Sequence, residues 1–417
     1  MKTKTNINVF MHSLQLSALK LSAVNRFDDP ARFQLQLNEY SQRALLLAEK
    51  NDYIILNRSP DKDYLDYLLN IGIGTQNLLI PENQGESLSD RVLRDKTLLN
   101  FLQKLGGKSN NLVLHPYVST SSEAKIAHII QATLNAPSPD LSLKINSKIY
   151  LLSLLQTLAL PTPKYEIANS LTVINIAKKL IDRYEKIIVL GNYSYGGLAI
   201  WPIMDEETFN TFQQDVSQCH PKEQFIVEKL YDVISSPNIQ YQIEPNAIHA
   251  LGITEQLLDD KLEYHGNHYP LSTTTQLEKI QQDSYRICEQ LQSQGYRGIL
   301  GMDFIETREG KLFIVDINGR ANASSFGLNV IRKLFPDSYQ TKYFSILTHI
   351  NIGKNVTFAE LIDKLGKKTL FDKQIGQGIL PYNTGCLQWG IFSAIIIANT
   401  QQELELGNKV IGNWDTK

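Results

Sequence analysis

The chain has 417 residues, 42% of them hydrophobic and 20% charged, with a net charge of -2 and a pI near 6.5. That composition is ordinary for a soluble globular protein and leaves room for about three domains. It gives no electrostatic reason to expect nucleic acid or an anionic membrane as partner. Cys219, Cys288 and Cys386 form no CxxC pair, which argues against a disulfide framework and for a reducing, cytoplasmic setting.

In chain order, MKTKTNINVFMHSLQLSALKLSAV reads as a short amphipathic helix, because Gln15 and Lys20 interrupt the apolar run a signal peptide would need. Helical spacing follows over 30–50, then a buried strand at DYIILN and a helix closing on glycine at DYLDYLLNIGIG. NLLIP and NLVLHPYV are further strands, separated by one helix over SLSDRVLRDKTLLNFLQKLGG. This alternation predicts a small α/β domain with a parallel sheet over 1–140. NAPSPDLSLKI reads as a linker, and a helix starts near Asn146. Helices and strands then alternate through KIIVL, GNYSYGGLAI and QFIVEKLY to a long helix at TQLEKIQQDSYRICEQLQSQG. The tail carries one helix, short strands including WGIFSAIIIAN, and a polar end. The longest apolar run, GIFSAIIIA, is far short of the roughly 20 residues of a spanning helix.

The stretch GILGMDFIETREGKLFIVDINGR, from Gly298 to Arg320, carries the chemistry. GILGMDFI and KLFIVDIN read as strands joined by the turn TREG, so they predict an antiparallel hairpin. With Thr307 facing Gly310, Asp303 lies opposite Ile314, and Asp316 and Asn318 share its face. Three oxygen-bearing groups at that spacing can hold one or two hard cations, and Mg²⁺ favours a few carboxylates plus phosphate oxygens. A solvated polar face on an edge hairpin is the alternative. Two more features bear on it. GNYSYGG follows a strand and lets backbone N–H groups approach phosphates, though it has neither GK[ST] nor GxGxxG. FIVEKL runs an apolar strand into Glu228 and Lys229, where backbone groups could meet a flat base.

Taken in order, NSK, LPTP, GNYSYGG, FIVEKL and GMDF…VDINGR resemble the ATP-grasp superfamily over about 145–345. The flanks are similar to a pre-ATP-grasp domain and, at TEQLLDDKLEYHGNHYP and GQGILPYNTGCLQWGIFSAIIIANTQQELE, to the pheganomycin-type peptide ligase branch. The resemblance implies a two-lobed α+β ATP-grasp core over 141–350, with lobes of about 141–230 and 231–350, and a small C-terminal α+β domain over 351–417. It implies ATP and Mg²⁺, as one or two ions that Mn²⁺ could replace, and small-molecule carboxylate and amine substrates joined through an acyl phosphate. It also implies a homodimer. Lys148 matches the first phosphate-binding lysine. Ser194, Tyr195, Gly196 and Gly197 match the phosphate lid, and Glu228, Lys229 and Leu230 the adenine hinge. Asp303, Asp316 and Asn318 match the metal ligands, and Arg320 the cation at the reacting phosphoryl group. The chain departs from the family at Leu190, where many members have a second lysine, and at Asp316, where many have Glu. Asp232 is the nearest match to the acid that holds the ribose. Leu190 keeps open a nucleotide-binding regulator on a degenerate fold, and the same metal site would serve a phosphotransferase. Asn322 and Ser324 are candidates to line the carboxylate site or to satisfy loop backbone. His265 and His268 lack a third ligand nearby for a metal.

Overall fold

Three sheets organise the chain in the computed structural model, which describes residues 5–14, 30–83, 85, 87–107, 110–195, 198–259 and 262–412. The first sheet is parallel and has five strands, with Thr5–Met11 at its centre between Tyr53–Ile55 and Asn110–Pro116. The amphipathic helix expected at the start is therefore wrong over Thr5–Met11. Val9 and Met11 bury into the core beneath this sheet, and that burial selects the extended form. The single helix expected over 88–107 is two, Leu88–Arg94 and Lys96–Gly106, because the Asp95 side chain accepts from the Leu98 N–H and starts a second helix.

The expected linker is also a helix, Pro139–Ile145: Ser138 caps it and Pro139 fills the first turn, where a missing N–H costs nothing. The second sheet is antiparallel, with strands Tyr165–Asn169, Gln224–Lys229, Ile187–Tyr195 and Leu198–Ile203 paired in that order. Helices Val173–Tyr184 and Glu206–Ser217 supply apolar residues to its core.

The third sheet has nine strands and holds the predicted hairpin, Gly298–Thr307 and Leu312–Asn318. Strand Ile391–Ala398 pairs with Tyr343–Asn351 in this same sheet, and Gly378–Tyr382 pairs with Ile391–Ala398 at its edge. One apolar cluster joins Leu45 and Leu68 of the N-terminal unit to Phe326 and Leu328 and to Ile346 and Ile395. The N-terminal unit is thus docked on the large sheet through shared core. The polar end contains a helix, Gln401–Gly412, whose Leu404 and Ile411 reach that core. Among the described residues no helix is long and apolar enough to cross a membrane.

Candidate active site

The hairpin brings its two carboxylates face to face. Asp303 pairs with Asp316, and Asn318 pairs with Gly301 on the same face. The register differs from expectation by two residues. The turn shifts the pairing by one, so that Glu306 meets Leu312, and a bulge at Val315 shifts it by one more. Two single shifts restore the parity, so the shared face survives although the partner changes. Gly301 is required here: a Cβ would lie 2.6 Å from both Asn322 Nδ2 and Gln240 Nε2.

Asp303 is buried, and burial pushes its carboxyl up to about 7, with the neighbouring Asp316 charge adding to the shift. Asn238 Nδ2 donates to Asp303 Oδ1, and Asn318 Nδ2 donates to Oδ2 at 3.2 Å. Below lies an amide network that sequence reading missed. Gln240 Nε2 donates to Asn238 Oδ1 at 2.7 Å and Asn322 Oδ1 at 3.0 Å, and Ser325 Oγ donates to Gln240 Oε1 at 2.6 Å. The signal was there in PNIQYQI, where Asn238 and Gln240 alternate inside a buried strand.

Lys148 reaches the hairpin from the other side. Its helix, Lys148–Thr157, packs on both the small sheet and strand Leu312–Asn318. Lys148 is only 6% exposed, and its Nζ donates to Asp316 Oδ1 at 2.8 Å. The helix start is tied to the lid strand by Asn192, whose Oδ1 accepts from Ser147 Oγ at 2.7 Å and from the Ile149 N–H at 3.1 Å. Glu228 is buried in the same region. Burial pushes its carboxyl up to about 7, and the Lys148 charge acts in the opposite direction. Lys148, Glu228, Asp303, Asp316 and Asn318 thus come together where the second sheet, helix Lys148–Thr157 and the hairpin meet.

Of the lid residues, Ser194 and Tyr195 end the strand Ile187–Tyr195, and Tyr195 pairs with Leu198; Gly196 and Gly197 lie outside the described residues. At the hinge, the Lys229 and Leu230 N–H groups already donate to the carbonyls of Lys164 at 3.2 Å and Lys186 at 3.1 Å. Lys229 Nζ stands 3.0 Å from Glu309 Oε1, linking the hinge to the hairpin turn. Asp232 is exposed, and its Oδ2 accepts from Arg308 Nε at 2.6 Å. Leu190 is buried with Leu152 and Ile226 in an apolar cluster. Arg320 follows the strand Leu312–Asn318, with Nη1 donating to Asn146 Oδ1 at 2.7 Å. Asn322 caps helix Ala323–Leu334 by accepting from the Ser325 N–H, and Ser324 is buried in its first turn. His265 contacts Asp259 at 3.3 Å and His268 contacts Glu255 at 3.7 Å. Among the described residues no group of three or more His, Cys, Asp or Glu could hold a metal, so the hairpin offers two carboxylates and an amide only.

The family described as L-aspartate–L-methionine ligase, ATP grasp, matches residues 189–318, and the pre-ATP-grasp domain family matches 41–132. That branch description differs from the pheganomycin type expected from the tail. The first match includes the lid, Glu228 and the hairpin acids, while Lys148 and Arg320 lie outside it. A curated relative, [Butirosin acyl-carrier protein]–L-glutamate ligase of Niallia circulans, is 23% identical over 150 residues. The match spans 36% of this chain and 36% of that relative's length. The fold is similar to N5-carboxyaminoimidazole ribonucleotide synthetase in its ADP complex (TM-score 0.58, 12% identity, 99% of this chain and 97% of that one). It is also similar to the biotin carboxylase of Campylobacter jejuni (TM-score 0.60, 10% identity, 99% and 91%). Family matches and fold agree: residues 189–318 match an ATP-grasp family and residues 41–132 a pre-ATP-grasp family, on a fold similar to that of these synthetase and carboxylase structures.

Proposed function

We propose that this chain is an ATP- and Mg²⁺-dependent ligase that joins a carboxylate to an amine through an acyl phosphate, releasing ADP, with an amino acid or peptide-like molecule as substrate. The observation that carries the reading is the 2.8 Å contact of Lys148 Nζ with Asp316 directly opposite Asp303. It sets a lysine of one lobe against the acids of the other. In the first step a substrate carboxylate oxygen attacks the γ-phosphorus of ATP, the bond to the β,γ-bridging oxygen breaks, and ADP leaves. In the second an amine attacks the acyl carbon, loses a proton and displaces phosphate.

The donor set fits Mg²⁺, since Asp303, Asp316 and Asn318 offer hard oxygens on one face and Asp303 is held near neutrality for want of a stronger counter-charge. The metal would supply charge neutralisation for the phosphate oxygens. Phosphoryl transfer needs mostly positioning and charge stabilisation. Lys148 and Arg320 would provide cations at the transferring group, Arg320 as a planar fork. The strand ending at Ser194 and Tyr195, with Gly196 and Gly197, would cover the phosphates and keep water from the acyl phosphate. Glu228 and the linker beyond it would face the nucleoside. Because the Lys229 and Leu230 N–H groups are already used within the sheet, the base would take later backbone groups, at Tyr231.

The division near residues 140 and 350, the homodimer and the cytoplasmic location belong to this proposal too. The burial of Leu190 favours the second reading, a nucleotide-binding regulator without turnover. Mass-spectrometric screening with ATP, Mg²⁺ and pools of amino acids and peptides separates them. Amide product with amine-dependent ADP release supports the ligase. Nucleotide binding without turnover of any pool supports the regulator, and phosphorylated product without amide a phosphotransferase.

A further inference from the structure

A cavity of about 540 Å³ lies between one face of the N-terminal parallel sheet and the chain that leaves the metal strand. Asn8 and His12 line it from the first strand and its end, His115 and Ser119 from the strand Asn110–Pro116 and beyond, and Arg320 from the catalytic side. Its volume suits a small ligand. Most of its polar groups are already paired. The His115 ring accepts at Nδ1 from Asn135 Nδ2 (3.0 Å) and so donates from Nε2 to Asn8 Oδ1 (3.1 Å). Burial pushes His115 down to about 4, so this neutral form persists at pH 7.

Two groups stand apart. His12 Nδ1 and Ser119 Oγ are buried and have no hydrogen-bond partner, although both residues line the cavity. A buried polar atom left unpaired is costly, so such a pair in a cavity points to a missing ligand. The Tyr117 ring connects them to the reaction centre: it is 5.5 Å from the His12 ring and 6.0 Å from the Arg320 guanidinium. Behind His12 stands a second guanidinium. Arg43 lies 5.7 Å from the Phe326 ring, which His12 meets from another side at 5.8 Å. Around His12 the cavity therefore has a positive charge close by and neutral hydrogen-bonding groups, while the Glu244 carboxylate on the same wall is solvent-exposed.

We propose that this cavity is the side-chain pocket for the acid to be activated, in which the reacting carboxylate lies at Arg320 while His12 and Ser119 bind an oxygen acceptor at the other end of the molecule. The substrate class is a carboxylic acid with a second carboxylate or an amide carbonyl, and an ammonium-ended acid is excluded. This rests on the ligase reading for the role of the bound acid, and on the cavity alone for its chemistry.

The test is isothermal titration of the full chain with L-glutamate, L-glutamine, L-leucine and L-lysine as probes, each with Mg²⁺ and AMP-PNP present. Glutamate or glutamine should bind, their order distinguishing carboxylate from amide, and leucine and lysine should bind at least tenfold more weakly. Ser119→Ala and His12→Phe should each weaken the preferred probe about tenfold and leave leucine unchanged. Ser119→Thr, which keeps the hydroxyl, should restore discrimination if Ser119→Ala is poorly folded. No binding by any probe, equal binding of leucine, or unchanged affinity in well-folded Ser119→Ala would overturn the pocket. Failure of the ligase reading looks different: discrimination that depends on His12 and Ser119 would persist while no ADP formed.

Discussion

The hairpin acids with Lys148 and the cavity beside them hold buried polar groups in opposite ways. At the hairpin, ionisable groups face one another: Lys148 against Asp316, Asp316 against Asp303, with Glu228 buried nearby. In the cavity, the ionisable side chains His12 and His115 are held neutral by burial and satisfied by amides or left waiting. On the proposed reading, a site for phosphates and a divalent ion gains from charges it can exchange, whereas a pocket that discriminates among small molecules gains from neutral groups whose unmade bonds are costly.

The sharpest way to break this contrast is Asp316→Asn, which keeps the shape and removes the charge. Mg²⁺-dependent ATP turnover should fall by at least a hundredfold in a steady-state ADP assay while circular dichroism stays unchanged. Turnover near wild type would count against the metal assignment. Arg320→Lys should lower turnover by tenfold or more and change nucleotide affinity by less, because a planar fork is lost at the group that gains charge in the transition state. Equal losses in both would assign Arg320 to ground-state binding. Asn192→Ala should cost about 1–2 kcal/mol in urea denaturation and raise the KM for ATP, since it frees the start of the Lys148 helix from the lid strand. The smallest effect belongs to His265→Ala: an exposed histidine that contacts Asp259 should change stability by less than about 0.5 kcal/mol and leave turnover unaltered.

How far each region could be read from the sequence follows the same division. The hairpin acids were legible because strand alternation fixes a face even when register slips, and here the turn and the bulge at Val315 slipped it by an even number. Asp303 opposite Asp316 was not legible, since nothing local announces that bulge. Lys148 was readable only through the resemblance of NSK to a family motif, because its contact spans 168 residues of chain. The first strand was misread. Its polar Asn6 and Asn8 interrupt an apolar run, and their partners come from distant strands: Asn111 Nδ2 donates to Asn6 Oδ1, and Asn8 Nδ2 donates to Asp52 Oδ1. His12, Ser119, Asn238 and Gln240 carry no local motif, and their importance arises from what long-range packing sets against them. The helix at Pro139–Ile145 was lost to a rule applied too broadly: proline ends a helix in its interior and starts one in its first turn.

The central claim is that the buried acids of the cleft are held for a metal–nucleotide complex. Burial raises Asp303 and Glu228 to about 7 from ordinary values near 4. The folded protein therefore holds these protons more tightly than the unfolded chain, so their contribution to stability is full below about pH 4 and falls as pH rises toward 7. Melting temperature measured from pH 5 to pH 8, with and without Mg²⁺ and AMP-PNP, tests this directly, with Asp303→Asn as control. Buried histidines held neutral act with the opposite sign in both proteins, so the account predicts a decline of the free protein relative to Asp303→Asn as pH rises, and its disappearance with Mg²⁺ and AMP-PNP, which would compensate the ionised acid. The same decline with the complex bound would contradict it.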